Sequence, residues 1–390
     1  MLSFLHRARK SLGKIAFGLG ALAVAACTPI AATAPVSGGN TGTMQVALLV
    51  PGGSGQANDE LLARALENAA RLAISDLGGA RINLRVYNTA GQPAQAQAMA
   101  LKAVAEGAQI ILGPVFAQEA NAAGVAVAGQ GVNVLSFSNN TDIAGNNVFV
   151  LGATFANTAQ RLASYAARSG KRKIMIVHEQ TTAGEIGRAA IASGVASAGA
   201  SVVAVGSYEF SQNGVVQAAP GIVAAARSAG ADGLFLTADT AGALPLVSQM
   251  LSDNGLGSTT IQYIGLTRWD IPAATLALPG VQGGWFAMPD PALYAQYQAR
   301  YQAAYGEQPH PISGLAYDGI AAIGALMKRG SSGTVTKQSL TQGSGFVGVS
   351  GIFRLLNDGT NDRGLAVAQI RANQVVIVDP APRSFGGAGF

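Results

Sequence analysis

Short apolar runs rich in β-branched residues alternate along this chain with longer stretches in which Ala and Leu recur at helical spacing. That alternation predicts an α/β fold with parallel sheets. Gln45 to Val50 reads as a buried strand, and Leu61, Leu62, Ala65, Leu66, Ala69, Leu72 and Ala73 then mark one face of a helix that stops at Gly78 and Gly79. The next units repeat the pattern, with strands at Ile82 to Tyr87, Gln109 to Leu112 and Val132 to Leu135, and helices over Ala94 to Ala105 and Gln118 to Ala128. A second series follows Phe149 and Val150. Its strands are expected near Lys173 to Val177, Ser201 to Val205, Gly233 to Leu236 and Ile261 to Ile264, with helices near Asn157 to Arg168, Gly184 to Ala198, Val216 to Ala229 and Ala241 to Asn254. Gly283 to Ala287 reads as one more strand. The helices Pro291 to Tyr305 and Ile312 to Arg329 have no place in the second sheet, which predicts that the chain crosses back to the first.

The flanks carry a different signal. Arg7, Arg9, Lys10 and Lys14 precede an apolar stretch from Ile15 to Ala26, which is too short for the roughly 20 residues of a membrane-spanning helix and reads as a signal peptide over 1–26. Val24-Ala25-Ala26-Cys27 resembles the bacterial lipobox, so Cys27, the single cysteine of the sequence, is expected to carry lipid and anchor the chain to a membrane. Residues 27–43 are uncharged and rich in Pro, Gly, Ser and Thr, a flexible tether with a reach on the order of 20 Å. Pro380 to Phe390 has similar composition and is expected to be a disordered tail. Most of the net charge of +5 lies in the signal, and the remaining bases are scattered, so nucleic acid is excluded as a partner.

Catalytic patterns are missing. The glycines of Pro51-Gly52-Gly53-Ser54-Gly55 do not complete a dinucleotide fingerprint, because Asn58 stands where Gly or Ala is needed; Asn58 reads instead as a helix cap. No Gly-x-Ser-x-Gly elbow occurs, and after the signal only His178 and His310 remain, far apart. No enzyme activity, cofactor or metal is expected. Ligands of open α/β sheets meet the loops beyond the carboxyl ends of the strands. Those loops supply the candidate cleft or partner-binding residues Phe116, Ser136, Ser138, Asn139, Asp239, Arg268, Trp269 and Asp270, together with His178 and Glu179. Arg268-Trp269-Asp270 offers cation, aromatic platform and anion to one partner, or else Trp269 packs inside and Arg268 pairs with Asp270. Ser136 and Ser138 carry little weight alone, since hydroxyls at a strand end also cap the next element.

Ile111-Leu112-Gly113-Pro114, Val134-Leu135-Ser136, Gly184-Glu185 after His178, and Ala316-Tyr317-Asp318-Gly319 together resemble type I periplasmic binding proteins of the Leu/Ile/Val-binding kind. The resemblance implies two Rossmann-like lobes joined by crossover segments, with 44–151 plus 284–346 in lobe 1 and 152–283 plus 347–379 in lobe 2. Within that superfamily, Thr267-Arg268-Trp269-Asp270, Leu278-Pro279-Gly280 and Gly283-Gly284-Trp285-Phe286-Ala287 are similar to penicillin-binding protein activator lipoproteins. This likeness adds Trp285 to the candidate residues. It implies a non-catalytic regulator of peptidoglycan synthesis that contacts a class A penicillin-binding protein from the inner leaflet of the outer membrane. Thr28, rather than an aspartate, after Cys27 agrees with that location. The alternative is a solute-binding lipoprotein of an ABC transporter for amino acids, amides or wall-derived peptides. In the amino-acid receptors a serine, a tyrosine and an acid hold the ligand; here Ala117, Ala183 and Arg268 or Trp269 stand near those places.

Overall fold

The structure is a computed structural model that describes residues 42–79, 81–329 and 335–386. The signal peptide, Cys27 and nearly all of the tether lie outside the described residues.

The first sheet is built from β1 (Met44–Val50), β2 (Ile82–Asn88), β3 (Ile110–Leu112), β4 (Asn133–Ser136) and β5 (Val148–Val150), all parallel, in the order β2-β1-β3-β4-β5. The connecting helices are α1 (Ala57–Asp76), α2 (Pro93–Ala105) and α3 (Ala117–Val127). In α1 the face predicted from spacing is buried, with Leu62, Ala65, Leu66, Ala69, Leu72 and Ala73 inside, whereas Leu61 is 47% exposed at the edge of the apolar stripe. Asn58 does not cap this helix. The cap position is Gln56, which makes no side-chain bond, and Glu60 Oε1 accepts from the Gly53 N–H at 2.7 Å in the preceding loop.

The second sheet follows α4 (Phe155–Arg168), which starts earlier than its periodicity suggests because Thr154 and Asn157 form a reciprocal capping box. It contains β6 (Lys173–Glu179), β7 (Ser201–Tyr208), β8 (Gly233–Leu236), β9 (Gln262–Gly265) and β10 (Trp285–Met288), with α5 (Thr182–Ser197), α6 (Gln212–Ala229) and α7 (Leu244–Asp253) between them. The chain then returns through α8 (Pro291–Tyr305), α9 (Gly314–Lys328) and α10 (Lys337–Leu340) to the apolar layer beneath β1, where Tyr297, Tyr301, Ile320 and Ile323 pack with Leu48 and Leu66.

The lobe boundaries differ from those expected. β10 lies in the second sheet, between β9 and β14 (Ala366–Arg371), so the return to lobe 1 begins after Met288 rather than at Gly284. β11 (Phe346–Gly348), β12 (Gly351–Leu355) and β13 (Asn361–Arg363) form a separate antiparallel sheet whose Phe346, Val349, Phe353 and Leu355 join the lobe 1 core. Only β14 and β15 (Gln374–Asp379) extend the second sheet, giving the order β15-β14-β10-β9-β8-β6-β7. Nor are residues 380–386 a free tail. Arg161 donates to the Pro380 carbonyl at 3.1 Å, and the Phe385 ring lies 4.6 Å from the Arg354 guanidinium.

The small sheet fastens the crossing. Asn361 Nδ2 donates to the carbonyls of Val150 and Gly152, and Arg363 Nε donates to that of Leu151, so three successive carbonyls of the first crossing are satisfied by β13. Arg363 Nη1 also meets Asp318 Oδ2 at 3.0 Å, with the two side chains only 3% and 0% exposed, and Asp318 Oδ1 accepts from the Val349 N–H at 2.8 Å. Removing one member strands a buried charge, which costs about 3–5 kcal/mol, whereas replacing both by apolar groups costs much less. Asp318→Ala is therefore expected to lower unfolding free energy in urea by that amount, and Asp318→Leu with Arg363→Met to lose less than either single change.

Candidate functional site

All five segments singled out from the sequence lie at the carboxyl ends of strands: those after β3, β8 and β9 are loops, Ser136 closes β4, and His178 and Glu179 are the last residues of β6. Each sheet has one point where the connections diverge to opposite faces, and the crevice there receives ligands in open α/β sheets. In lobe 1 it falls between β1 and β3, with α1 packed on the core shared with α9 and with α2 and α3 on the other face. In lobe 2 it falls between β6 and β8, with α5 on one face and α6 and α7 on the other. A crevice of about 280 Å³ runs between the lobes, lined by Asn139, Asn140 and Thr141 from lobe 1, Phe155 at the crossing, and Ala183 and Ile186 on α5. Asn139 and Ile186 are exposed in it.

At the lobe 2 switch point the strand end presents a fixed carboxylate. Glu179 Oε2 accepts from the Thr237 hydroxyl at 2.8 Å and from the Tyr208 hydroxyl at 3.1 Å, drawing together the ends of β6, β7 and β8. Burial first, and then Glu179, push the Tyr208 phenol well above its ordinary range, so it stays a donor. Asp239 is exposed beside it, with its Oδ1 against Gly242, where a Cβ would come within 2.6 Å. His178, one residue earlier, points the other way, its Nδ1 3.6 Å from Glu185 Oε1 on α5.

At the lobe 1 switch point Phe116 precedes α3 with its ring 41% exposed. Gly113 allows this turn: its φ of +84° suits glycine, and a Cβ would lie 2.2 Å from the Leu49 carbonyl oxygen. Gly91, also at positive φ, faces both the Phe116 ring and the Asp59 carboxylate, at 3.6 and 3.7 Å from the place of a Cβ. Glu119 lies beneath, 1% exposed. The Thr89 hydroxyl and the Phe116 N–H act on its carboxyl, yet neither oxygen receives a hydrogen bond of ordinary geometry. The Thr89 hydroxyl donates to the Val50 carbonyl at 3.0 Å. Burial therefore raises the Glu119 pKa, with the Asp59 charge adding to the rise.

The remaining sequence candidates are structural in their contacts. Ser136 is fully buried and donates to the Pro114 carbonyl while accepting from the Ser138 N–H; Ser138 Oγ accepts from the Asn140 N–H. Both hydroxyls shape the turn after β4. Trp269 is not a platform: it is 0% exposed, and Gly265 and Gly284 flank its indole so closely that a Cβ on either would come within 2.4 Å. Arg268 pairs with Asp270 through two parallel contacts, Nε to Oδ1 at 2.8 Å and Nη2 to Oδ2. Both charges act on the Tyr294 hydroxyl, which places the pair beside α8. Trp285 is buried in β10 with its ring edge-on to Tyr165, 4.7 Å between centroids. The spacing of residues gave no sign of Asp59, Gly91, Glu119, Tyr208 or Thr237. Their common mark is a place at a strand end or in a helix's first turn at a divergence point, which becomes visible only with the strand order.

The family model described as "Periplasmic binding protein" matches residues 43–374. Among solved structures, a protein assigned as a branched-chain amino acid ABC transporter from Rhodospirillum rubrum is 17% identical with a TM-score of 0.71, covering 86% of this chain and 100% of its own. An ABC transporter substrate-binding protein from Desulfitobacterium hafniense in complex with Leu is 18% identical with a TM-score of 0.63, covering 86% and 100%. A solute-binding protein from R. palustris in complex with benzoate is 18% identical with a TM-score of 0.56, covering 90% and 99%. At these identities the likeness is one of fold. No curated protein matches the chain.

A buried indole between two glycines makes a direct prediction. Trp269→Ala is expected to cost about 3–5 kcal/mol of stability, measured as a shift in the urea unfolding midpoint; an unchanged midpoint would mark Trp269 as a surface group.

Proposed function

The chain belongs to the periplasmic binding protein family, and from that footing we propose that it is the solute receptor of an ABC transporter, capturing a small molecule between its lobes without chemistry of its own. The observation that carries this reading is the preformed polar anchor at the lobe 2 switch point. Glu179 is locked by two hydroxyl donors at the carboxyl end of β6, the edge at which solutes meet open α/β sheets, and the crevice between the lobes is lined by the apolar Phe155 and Ile186 beside Asn139 and Asn140. Few fixed polar groups among apolar walls are what a small-molecule site requires. Membership of the family supports a periplasmic location, where a lipid on Cys27 would hold the protein at a membrane surface.

The resemblance to penicillin-binding protein activators draws on residues 267–287. Trp269, Gly280, Val281 and Trp285 are buried in that stretch, and Gly280 packs against Ser248. Those residues supply packing rather than a face for a synthase, and solute binding accordingly stands ahead of synthase regulation.

Thermal shift and calorimetry with amino acids, amides, amines and aromatic acids test the reading. A cognate solute at one hundred times its Kd stabilises the folded state by about 2.7 kcal/mol. Glu179→Gln should weaken that solute tenfold or more, in line with about 1.5–3 kcal/mol for a hydrogen bond to a charged group. A panel that produces no shift in the unmodified protein would sink the proposal.

A further inference from the structure

Bases scattered along the sequence are gathered by the fold at the amino edge of the first sheet, where the chain enters lobe 1. Arg81 lies beside the first residue of β1, its carbonyl accepting from the Met44 N–H at 2.8 Å. α9 runs from Leu112 at the end of β3, against which Gly319 packs, to Leu77 at the end of α1, against which Gly324 packs. It therefore delivers Lys328 and Arg329 to the same edge. Lys337 joins them through the Asn146 carbonyl, just ahead of β5. None of these four cations makes an ion pair among the described residues. Arg329 meets the neutral Gln342 side chain, and Arg81, Lys328 and Arg329 are all exposed.

The acids of this edge are already engaged. Asp76 pairs with Arg300 and accepts from the Tyr317 hydroxyl, and Glu106 is held by Arg85, Lys102 and the Tyr87 hydroxyl. Asp59, Glu60, Glu119 and Asp142 lie instead at the carboxyl edge, in the first turns of α1 and α3 and in the segment after β4. Lobe 1 is thus polarised along its strands, positive where the chain enters and negative at the other end. Helix ends favour cations, which accounts for Lys328 and Arg329 but not for Arg81, which precedes a strand. Two apolar side chains stand out beside the bases: Leu101, towards the end of α2, is 41% exposed, and Val125, towards the end of α3, is 71% exposed.

An anionic bilayer matches both features, since it attracts cations near its plane and accepts apolar side chains at the headgroup boundary. The point of chain entry favours the same partner. Cys27 is separated from Met44 only by 28–43, and a coil of that length reaches on the order of 20 Å. We propose that the amino edge of lobe 1 is a docking surface for an anionic phospholipid bilayer. Arg81, Lys328 and Arg329 are its charged contacts, Lys337 lies at its rim, and Leu101 and Val125 enter the headgroup layer. The acids of the carboxyl edge are repelled by the same lipid. This surface goes beyond the solute-receptor reading and does not depend on it.

The test uses residues 27–390, which contain every described element, with Cys27→Ser so that no acyl chain contributes. Cosedimentation is measured in low salt with vesicles of phosphatidylcholine alone and of phosphatidylcholine with one third phosphatidylglycerol. The anionic vesicles are expected to bind the protein, and binding is lost in 1 M salt, where the screening length falls to about 3 Å. Arg81→Gln, Lys328→Gln and Arg329→Gln should each weaken binding about fivefold and together about a hundredfold. All three side chains are exposed, and an unchanged urea midpoint checks that the fold is kept. Lys171→Gln with Lys173→Gln, at the amino edge of the second sheet, is expected to leave vesicle binding as it was. No binding to the anionic vesicles, equal binding to both vesicle types, full binding by the triple variant, or an equal loss on changing Lys171 and Lys173 would each overturn the docking surface.

Discussion

The ion pair between Arg363 and Asp318 is the interaction on which the arrangement of the two lobes depends. Each side chain is almost fully buried, and isolated charges there would be untenable. They are tolerated because each also meets backbone: Asp318 accepts from the Val349 N–H, and Arg363 Nε donates to the Leu151 carbonyl, while Arg363 Nη2 is left without a partner. One pair thus joins α9 of lobe 1, the small sheet and the first crossing segment. Gly348 belongs to the same arrangement, since any side chain there would strike the Asp318 carboxylate. Arg161 performs a related task within lobe 2, gathering the Leu365 carbonyl, Asp379 and the Pro380 carbonyl around α4. Cations that bind several backbone carbonyls at once define the crossings more narrowly than apolar contact could.

Much of this fold is legible in the chain because each βα unit announces itself locally. The buried run Leu48 to Val50 and the apolar face of α1 are recognised within a window of twenty residues, whereas the Thr154 cap, which starts α4 ahead of its apolar periodicity, is passed over. The errors arise where the deciding contact is remote. β10 reads as a strand from its own residues, but its membership of the second sheet is fixed by pairing with Ala366 to Gln369, some eighty residues later. Phe353 and Leu355 look like ordinary strand residues, and nothing near them reveals that lobe 1 buries them. Residues 380–386 have the composition of a tail, yet Phe385 finds Arg354 and Pro380 finds Arg161.

The candidate site divides along the same line. Arg268, Trp269 and Asp270 are conspicuous in sequence because three unusual side chains adjoin, and that prominence has a packing origin: a large indole needs Gly265 and Gly284 beside it, and the exposed-side arginine is neutralised by its neighbour. Glu179 and Asp59 are ordinary acids until the strand order sets them at the two divergence points. The sequence pattern picks out the carboxyl edge of each sheet and, on it, Glu179 and Phe116, but not the Tyr208 and Thr237 hydroxyls that hold the Glu179 carboxylate. Chemistry at such an edge is assembled from three or four separate loops, and none of those loops carries a signature by itself.

β1 runs from Met44 at the amino edge of its sheet to Val50 at the carboxyl edge, where the lobe 1 switch point lies. The chain consequently enters the folded body at the end of the strand remote from the cleft. The carboxyl edge of the sheet, where the loops of the switch point gather, is thereby left clear of the strand's own entry into the fold.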